Sequence, residues 1–278
     1  MRVLALLLVV ASCGGSAPHC ELPVKAAGAP FLWKVQKPGG AIVWLYGTIH
    51  VAGLAAVPTS AIAALDGAKR FASELGDVEP DPDKIGELAR LPFGQVLDQL
   101  LPADDWYDLV DAMRGTMRED DLRHARPWFA MTRLTSKVAP SPKPSMDDAL
   151  TDHAKDHHLP IDHLETWDAQ MQALVDGVNV ADLQQTIHLR KTLGCEVDKM
   201  RALYENGDAI TLEPLLVARD QATIIDARNA KWQAQIETYA AGDGAFVAVG
   251  LGHLLGDHGL VAVFGRAGYT VERAEPRR

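Results

Sequence analysis

The hexapeptide LYGTIH at residues 45–50 returns near the other end of the chain as AVGLGH at residues 248–253. In both places an apolar run ends in Gly-x-x-His, and a helical pattern and a second apolar run follow. A glycine at the end of a strand allows a sharp turn and a close approach of another group to the backbone. The repeat predicts an α/β (α+β) fold in which two related strand-helix-strand halves form one central mixed sheet.

The segments around each copy predict the same order of elements. Before the first copy, an alternating run at 31–37 and the turn 38–40 indicate a hairpin whose second strand is central. A helix start at 58–60 and a returning strand at 70–75 follow. The second copy follows a strand at 245–249 and precedes a helix around 260–264 and a strand at 269–273. Between the halves, from about 81 to 242, we expect a large helical insertion with one short strand at 160–165.

Composition limits the class of protein. The chain has 278 residues, 47% of them hydrophobic, which excludes a disordered or low-complexity protein and permits one large domain or two small ones. The repeated motif favours the first of these, a single domain over residues 31–278. The chain's formal net charge of -10 argues against a nucleic-acid partner, because phosphate backbones attract basic surfaces.

The beginning of the chain has the pattern of an export signal. Residues 1–12 combine a positive start with a short apolar run, which predicts a signal peptide, and VASC at 10–13 resembles a bacterial lipobox. We therefore expect Cys13 to be lipidated, residues 13–30 to form a lipidated tether, and the protein to be anchored to a membrane of the bacterial cell envelope. An ordinary cleaved signal, with Cys13 incidental, is the alternative.

The number of cysteines leads to a further prediction. If Cys13 is acylated, Cys20 and Cys195 remain, and an even number of cysteines in an exported protein favours a disulfide between them. Two buried free thiols are the alternative.

Three polar residues follow predicted strands at the same edge of the sheet. His50 and His253 come three residues after their glycines, and Glu74 ends the strand that returns after the first copy. Two imidazoles and a carboxylate are a ligand set for a catalytic divalent metal. We expect all three to bind one metal and to be catalytic, with Glu74 as ligand or general base. A structural, hydrogen-bonded role for each histidine is the alternative.

Several segments together resemble one family. They are FLWKV (31–35), WLYGTIHV (44–51), SEL (73–75), LET (164–166), the pair at 228–229 and VGLGHLLG (249–256). From about residue 30 to 274, the chain resembles the TraB/GumN family, which is related to the Tiki metalloproteases and more remotely to erythromycin esterases and ChaN-type lipoproteins. His163 is a departure, because a small residue is more usual at its position.

The resemblance implies an activity and further site residues. It implies a hydrolase, dependent on a divalent metal of the manganese or cobalt type, that uses His50, His253 and Glu74. Arg228, Asn229 and Glu165 would lie near the cleft and bind substrate. The expected substrate is a peptide or small molecule with an amide or ester bond. A haem- or metal-binding lipoprotein without catalysis and a non-catalytic accessory protein remain the alternatives.

Two other patterns suggest different ligands. The glycines at 250–256 are close to a dinucleotide-binding turn, but too few residues follow Glu272 to complete such a fold, and the first copy lacks the second glycine. His153 and His157 are four residues apart, so they share a helix face and could bind zinc or copper. A solvated, charged helix end is the alternative interpretation of this pair.

Overall fold

The structure, a computed structural model, describes residues 20–78, 80–216 and 222–275. Residues 1–12 and Cys13, which carry the predicted signal peptide and lipidation site, lie outside the described residues. The strands are β1 (Leu32–Gln36), β2 (Val43–Thr48), β3 (Phe71–Ser73), β4 (Ile161–His163), β5 (Ala245–Gly250) and β6 (Thr270–Arg273).

Thirteen α-helices occur in the described part of the chain. They are α1 (Thr59–Asp66), α2 (Pro82–Leu88), α3 (Leu97–Leu100), α4 (Ala103–Met113), α5 (Glu119–Arg123), α6 (Pro127–Val138), α7 (Met146–Asp156), α8 (Trp167–Gly177), α9 (Val180–Leu189), α10 (Leu193–Glu205), α11 (Ala209–Leu216), α12 (Ala227–Ala241) and α13 (Leu260–Arg266). Short 3-10 turns at Leu54–Ala56 and Leu251–His253 and a π-helical turn at Ala222–Asp226 complete the regular structure. None of the described helices has the length and apolar character that a bilayer span requires.

The strands form one mixed sheet in the order β4-β3-β5-β2-β1-β6. The first four are mutually parallel, and β1 runs antiparallel to both of its neighbours. The two halves interlock in the sheet. In the first half the chain goes from β2 to β3, and β5 of the second half lies between these strands. In the second half the chain goes from β5 to β6, and β2 and β1 of the first half lie between these strands. The predicted α/β class, with one mixed sheet built from both halves, is therefore confirmed.

The two repeated motifs lie on the neighbouring strands β2 and β5, offset by one residue. Gly47 is paired with Val249, and Thr48 is paired with Gly250. Because successive side chains of a strand point to opposite faces, this offset puts equivalent positions of the two motifs on opposite faces of the sheet. Each histidine lies past the end of its strand, on a turn of its own.

The buried residues fall into separate clusters for the sheet and for the insertion. The main cluster surrounds β2 and β5, whose apolar side chains other than the partly buried Trp44 are almost completely buried, as in a parallel sheet covered on both faces. A second cluster joins helices of the insertion through buried residues that include Leu109, Leu134 and Leu183. A core of its own explains how the insertion can be large without disturbing the sheet that carries the repeated motifs.

The described part of the predicted tether lies against the domain. Cys20 is joined to Cys195 on α10 by a disulfide bond. Farther along, the Asn206 amide accepts a hydrogen bond from the Ala26 N–H at 2.8 Å and donates one to the Val24 carbonyl at 2.9 Å. Residues 20–30 are thus held along α10 by covalent and polar contacts.

Candidate functional site

The parallel strands carry chemically reactive residues just past their carboxyl ends. Glu74 directly follows β3, and His50 and Glu165 come two residues after β2 and β4. His253 comes three residues after β5, at the end of a 3-10 turn. Because the four strands are parallel neighbours, these residues lie along one edge of the sheet, the usual position of sites in α/β proteins.

Arg228, the second residue of α12, is the centre of this edge. Its Nε and Nη2 donate to the two oxygens of Glu165 at 3.0 and 2.5 Å, and Nη2 also donates to Oε2 of Glu74 at 2.7 Å. Its Nη1 donates to the Ile224 carbonyl at 3.1 Å and to Nε2 of His253 at 3.0 Å. All five N–H groups of the guanidinium therefore have partners within the protein.

Glu74 is held as a carboxylate. Its Oε1 accepts the Gly250 N–H at 2.8 Å, and its Oε2 accepts from the Gln170 amide at 3.0 Å as well as from Arg228. Burial opposes the charge, but His253, Arg228 and the Gly250 amide lower the pKa of Glu74 to about 2. Since His253 is neutral near pH 7, the guanidinium and the amide stabilise the carboxylate there. Burial raises the pKa of the neighbouring Glu165, against the effect of Arg228.

His253 is a buried, neutral imidazole. Since Nε2 accepts from Arg228, the proton must be on Nδ1, which donates to Oδ1 of Asn229 at 2.8 Å. The Asn229 amide in turn donates to the carbonyls of His253 and His258, each at 3.1 Å. Burial lowers the pKa of His253 to about 4. Its ring packs on Trp232, with 4.4 Å between ring centroids.

His50 has a different environment. Its side chain is 75% exposed, and Nδ1 lies 3.0 Å from Oδ2 of Asp147. The other oxygen of Asp147 accepts the Thr48 hydroxyl at 2.6 Å, which fixes the carboxylate. The hydrogen bond with Asp147 raises the pKa of His50 to about 9, and Glu74 adds to the shift. Within the described residues, Nε2 of His50 has no hydrogen-bond partner.

Asp147 was not predicted from the sequence. It is the second residue of α7, whose start is fixed by a capping box between Ser145 and Asp148. That box and the acidic first turn can be recognised in the sequence. The pairing of Asp147 with a histidine 97 positions away cannot, because it depends on how α7 packs beside the end of β2. The contacts of Thr48 and Gln170 were missed for the same reason.

The predicted metal ligands do not form one ligand set in this arrangement. Nε2 of His253 and Oε1 of Glu74 are 3.9 Å apart, but the lone pair of Nε2 already accepts a hydrogen bond from the Arg228 cation. His50 is paired with Asp147, and in the described residues it does not form a metal-ligand group with Glu74 and His253. In the described part of the chain, three such ligand atoms lie within 4.8 Å of one another only at Asp66, His153 and His157. The residues at the sheet edge thus do not fit a resident metal as they stand.

The predicted site residues therefore divide into two groups. Glu74, Glu165, Arg228, Asn229 and His253 form one buried hydrogen-bonded network, which we call the Arg228 cluster. His50 stands apart from it, coupled to Glu74 by charge. The residues predicted to bind substrate, Arg228, Asn229 and Glu165, are engaged with other protein groups, so substrate binding by them stays a prediction.

Comparisons with known proteins gave one match. Neither the curated proteins nor the solved structures contain a match to this chain. A family model, that of the TraB/PrgY/gumN family, matches residues 31–273. This range includes every strand and helix described above, both Gly-x-x-His turns and the Arg228 cluster. The chain therefore belongs to the TraB/PrgY/gumN family.

Proposed function

We propose that this protein is a hydrolase that cleaves an amide or ester bond at the carboxyl edge of its sheet. The observation that carries the proposal is the His50–Asp147 pair, which stands exposed beside a buried cluster of fixed charges. Pairs of this kind perform proton transfer in many hydrolytic sites.

The chemistry of the pair follows from its hydrogen bonds. Asp147 accepts from Nδ1 of His50, so Nε2 is the nitrogen that exchanges a proton with the site. Below the raised pKa of His50, Nε2 carries a proton that it can give to a leaving group, and above that pKa it can take a proton from water. Thr48 holds Asp147 through the second oxygen, so the imidazole is oriented by a chain of two contacts. The exposure of His50 gives a substrate access to it.

The Arg228 cluster supplies the electrostatic part of the proposal. Two carboxylates, Glu74 and Glu165, face the single guanidinium of Arg228, and His253 is neutral. With both carboxylates ionised, the cluster has an excess negative charge. Glu74 thereby favours the protonated form of His50, which is the form produced when His50 takes a proton from water.

A metal-dependent hydrolase, which the family resemblance implies, is the alternative to hydrolysis by side chains alone. Nε2 of His253 and Oε1 of Glu74 are 3.9 Å apart, a separation that two ligands of one metal ion can have after a small movement. The contact of Arg228 with His253 and the pairing of His50 with Asp147 oppose metal binding at this edge. We therefore propose that side chains of this protein carry out the hydrolytic step without a metal. Removing metal from the protein distinguishes this mechanism from the metal-dependent one.

The proposal is tested with two generic probes, p-nitrophenyl acetate for esters and a fluorogenic unstructured protein for peptide bonds. We expect wild-type protein to hydrolyse at least one of them, and His50→Asn to be slower by about 100-fold, the lower range for loss of a general acid-base. His124→Asn is the matched control, because His124 is an exposed histidine on the helical insertion that contacts the Asp120 carbonyl.

Each other outcome would contradict the proposal. Hydrolysis that is absent from wild type, or equal in His50→Asn and wild type, removes the support for an acid-base role of His50. If hydrolysis is absent and the protein gains haem absorbance on reconstitution, the non-catalytic lipoprotein is the correct alternative.

A further inference from the structure

We propose that Asp66, His153 and His157 form a surface site for a divalent transition metal of the zinc or copper type. The site is independent of the proposed hydrolase. Asp66 is the last residue of α1, His153 lies on the last part of α7, and His157 caps that helix. Asp147 lies at the opposite end of α7, so the two sites do not share a ligand.

The geometry brings three ligand atoms to one point. Nε2 of His153 lies 2.7 Å from Oδ1 of Asp66, and Nε2 of His157 lies 3.9 Å from the same oxygen. Ligands bound tetrahedrally at about 2.0–2.1 Å from a zinc ion are themselves about 3.4 Å apart. A metal would therefore need only small side-chain movements, in which the distance from His153 to Asp66 increases and the distance from His157 to Asp66 decreases.

The ring of His157 is oriented as a metal ligand. Its Nδ1 lies 2.8 Å from the His153 carbonyl, which can only accept, so Nδ1 holds a proton and Nε2 is the nitrogen with the lone pair when the ring is neutral. Histidine ligands in metal sites usually donate their second N–H to a carbonyl or carboxylate in this way. On metal binding, the proton on Nε2 of His153 would be displaced to Nδ1 or to solvent.

The stacking of the two imidazoles supports a cation between their ligand atoms. The rings of His153 and His157 lie 4.1 Å apart between centroids, at an angle of 20°. Both rings point Nε2 at the Asp66 carboxylate, but only Nε2 of His153 is within hydrogen-bond distance of Oδ1. A divalent ion would give both nitrogens a partner, and imidazole is a ligand that zinc, copper and nickel share.

The site is open to solvent. The side chains of Asp66, His153 and His157 are 45, 21 and 49% exposed, so the ion can enter from solution and water can be its fourth ligand. A bound metal would join the end of α1 to the end of α7. We therefore expect metal binding to make α7, the helix that also carries Asp147, more stable. The hydrogen bonds of the Arg228 cluster should not change, because the cluster shares no residue with the metal site.

The test measures binding of Zn²⁺ alone to the full-length, metal-depleted protein by calorimetry. We expect one saturable equivalent for wild type and none for the double variant His153→Asn, His157→Asn. The variant His188→Asn is the matched control, because His188 makes the same 2.7 Å contact with an aspartate, Asp105, without a second histidine in a metal-ligand group. It should bind zinc as wild type does.

Two further measurements keep the test independent of folding and of the sheet edge. Circular dichroism should show that the double variant is folded, and Cu²⁺ bound to wild type should show nitrogen coupling in electron paramagnetic resonance that the variant lacks. The variant His50→Asn, His253→Asn should retain the zinc equivalent. Absence of saturable binding in wild type, or equal binding by the folded His153 and His157 variant, would overturn the proposal.

Discussion

Arg228 neutralises charges that would otherwise be buried without a partner. It is the one cation in contact with Glu74 and Glu165 in the described structure, and their side chains are only 16 and 6% exposed. Arg228→Met should therefore lower the free energy of unfolding by about 3–5 kcal/mol, the usual cost of removing one partner of a buried ion pair. Urea denaturation followed by circular dichroism measures this change.

The control for Arg228 is an arginine on the surface. Arg118 pairs with Asp121, and its side chain is 80% exposed, so Arg118→Gln should leave the free energy of unfolding nearly unchanged. An Arg228→Met protein as stable as the Arg118→Gln protein would show that the cluster does not depend on the guanidinium.

The two histidines show what a sequence motif leaves open at this scale. Both follow a glycine by three residues, yet His50 pairs with a carboxylate in an exposed position and His253 is buried between an amide and a guanidinium. The motif predicts that each lies near the end of a strand. The proton each holds depends on residues distant in sequence, Asp147 on α7 and the pair Arg228 and Asn229 on α12, which only the packing of those helices brings near.

The two repeated turns pack closely against each other at Gly47. A Cβ added at Gly47 would lie 2.6 Å from Cδ1 and 3.3 Å from Cα of Leu251, a buried residue of the second turn. Gly47→Ala should push that turn away and lower the free energy of unfolding by about 1–3 kcal/mol, as overpacking of a core does. Thermal and urea denaturation would measure the loss.

Gly265 provides a matched control for this substitution. It lies inside α13 and has no heavy atom within 4 Å of an added Cβ, so Gly265→Ala should be neutral or stabilise by up to about 1 kcal/mol. If Gly47→Ala behaves like Gly265→Ala, the two turns do not pack as closely as described.

The strands and helices that border the repeated motifs were largely predictable because their patterns are local. The hairpin, the helix from residue 59 and the short strand at 161–163 all have turn residues or periodicity of their own. The one-residue offset between β2 and β5 has no local signal, because parallel pairing joins segments about 200 residues apart. The predicted meeting of His50, Glu74 and His253 in one ligand set differs from the arrangement described because Asp147 and Arg228, which engage the two histidines, lie on helices distant in sequence.

Because the two halves interlock, formation of the sheet requires strands from both ends of the chain. Strand β5 lies between β2 and β3, and β1 lies between β2 and β6, so neither half forms its part of the sheet alone. Residues 20–30, which precede β1, are fixed to α10. A chain attached to a membrane upstream of residue 20 would therefore hold the whole domain close to that membrane.

We propose that the protein is lipid-anchored in the bacterial cell envelope. Support comes from the sequence, in which a short apolar run precedes VASC at residues 10–13. Mass spectrometry of the mature protein should find a diacylglyceryl group on Cys13 as the first residue, and Cys13→Ser should abolish it. A mature chain that begins at another residue without a lipid would contradict the proposed anchor.

The most direct test of the proposed reaction is the hydrolysis rate of protein from which metal has been removed with a chelator. If His50 transfers the proton while Asp147 orients it, the depleted wild-type protein keeps its rate, while His50→Asn and Asp147→Asn each lose about 100-fold or more. The opposite result would be a rate that disappears on chelation and returns with Mn²⁺ only when His50, Glu74 and His253 are all present. That result would contradict hydrolysis by the side chains alone and would establish the metal-dependent form.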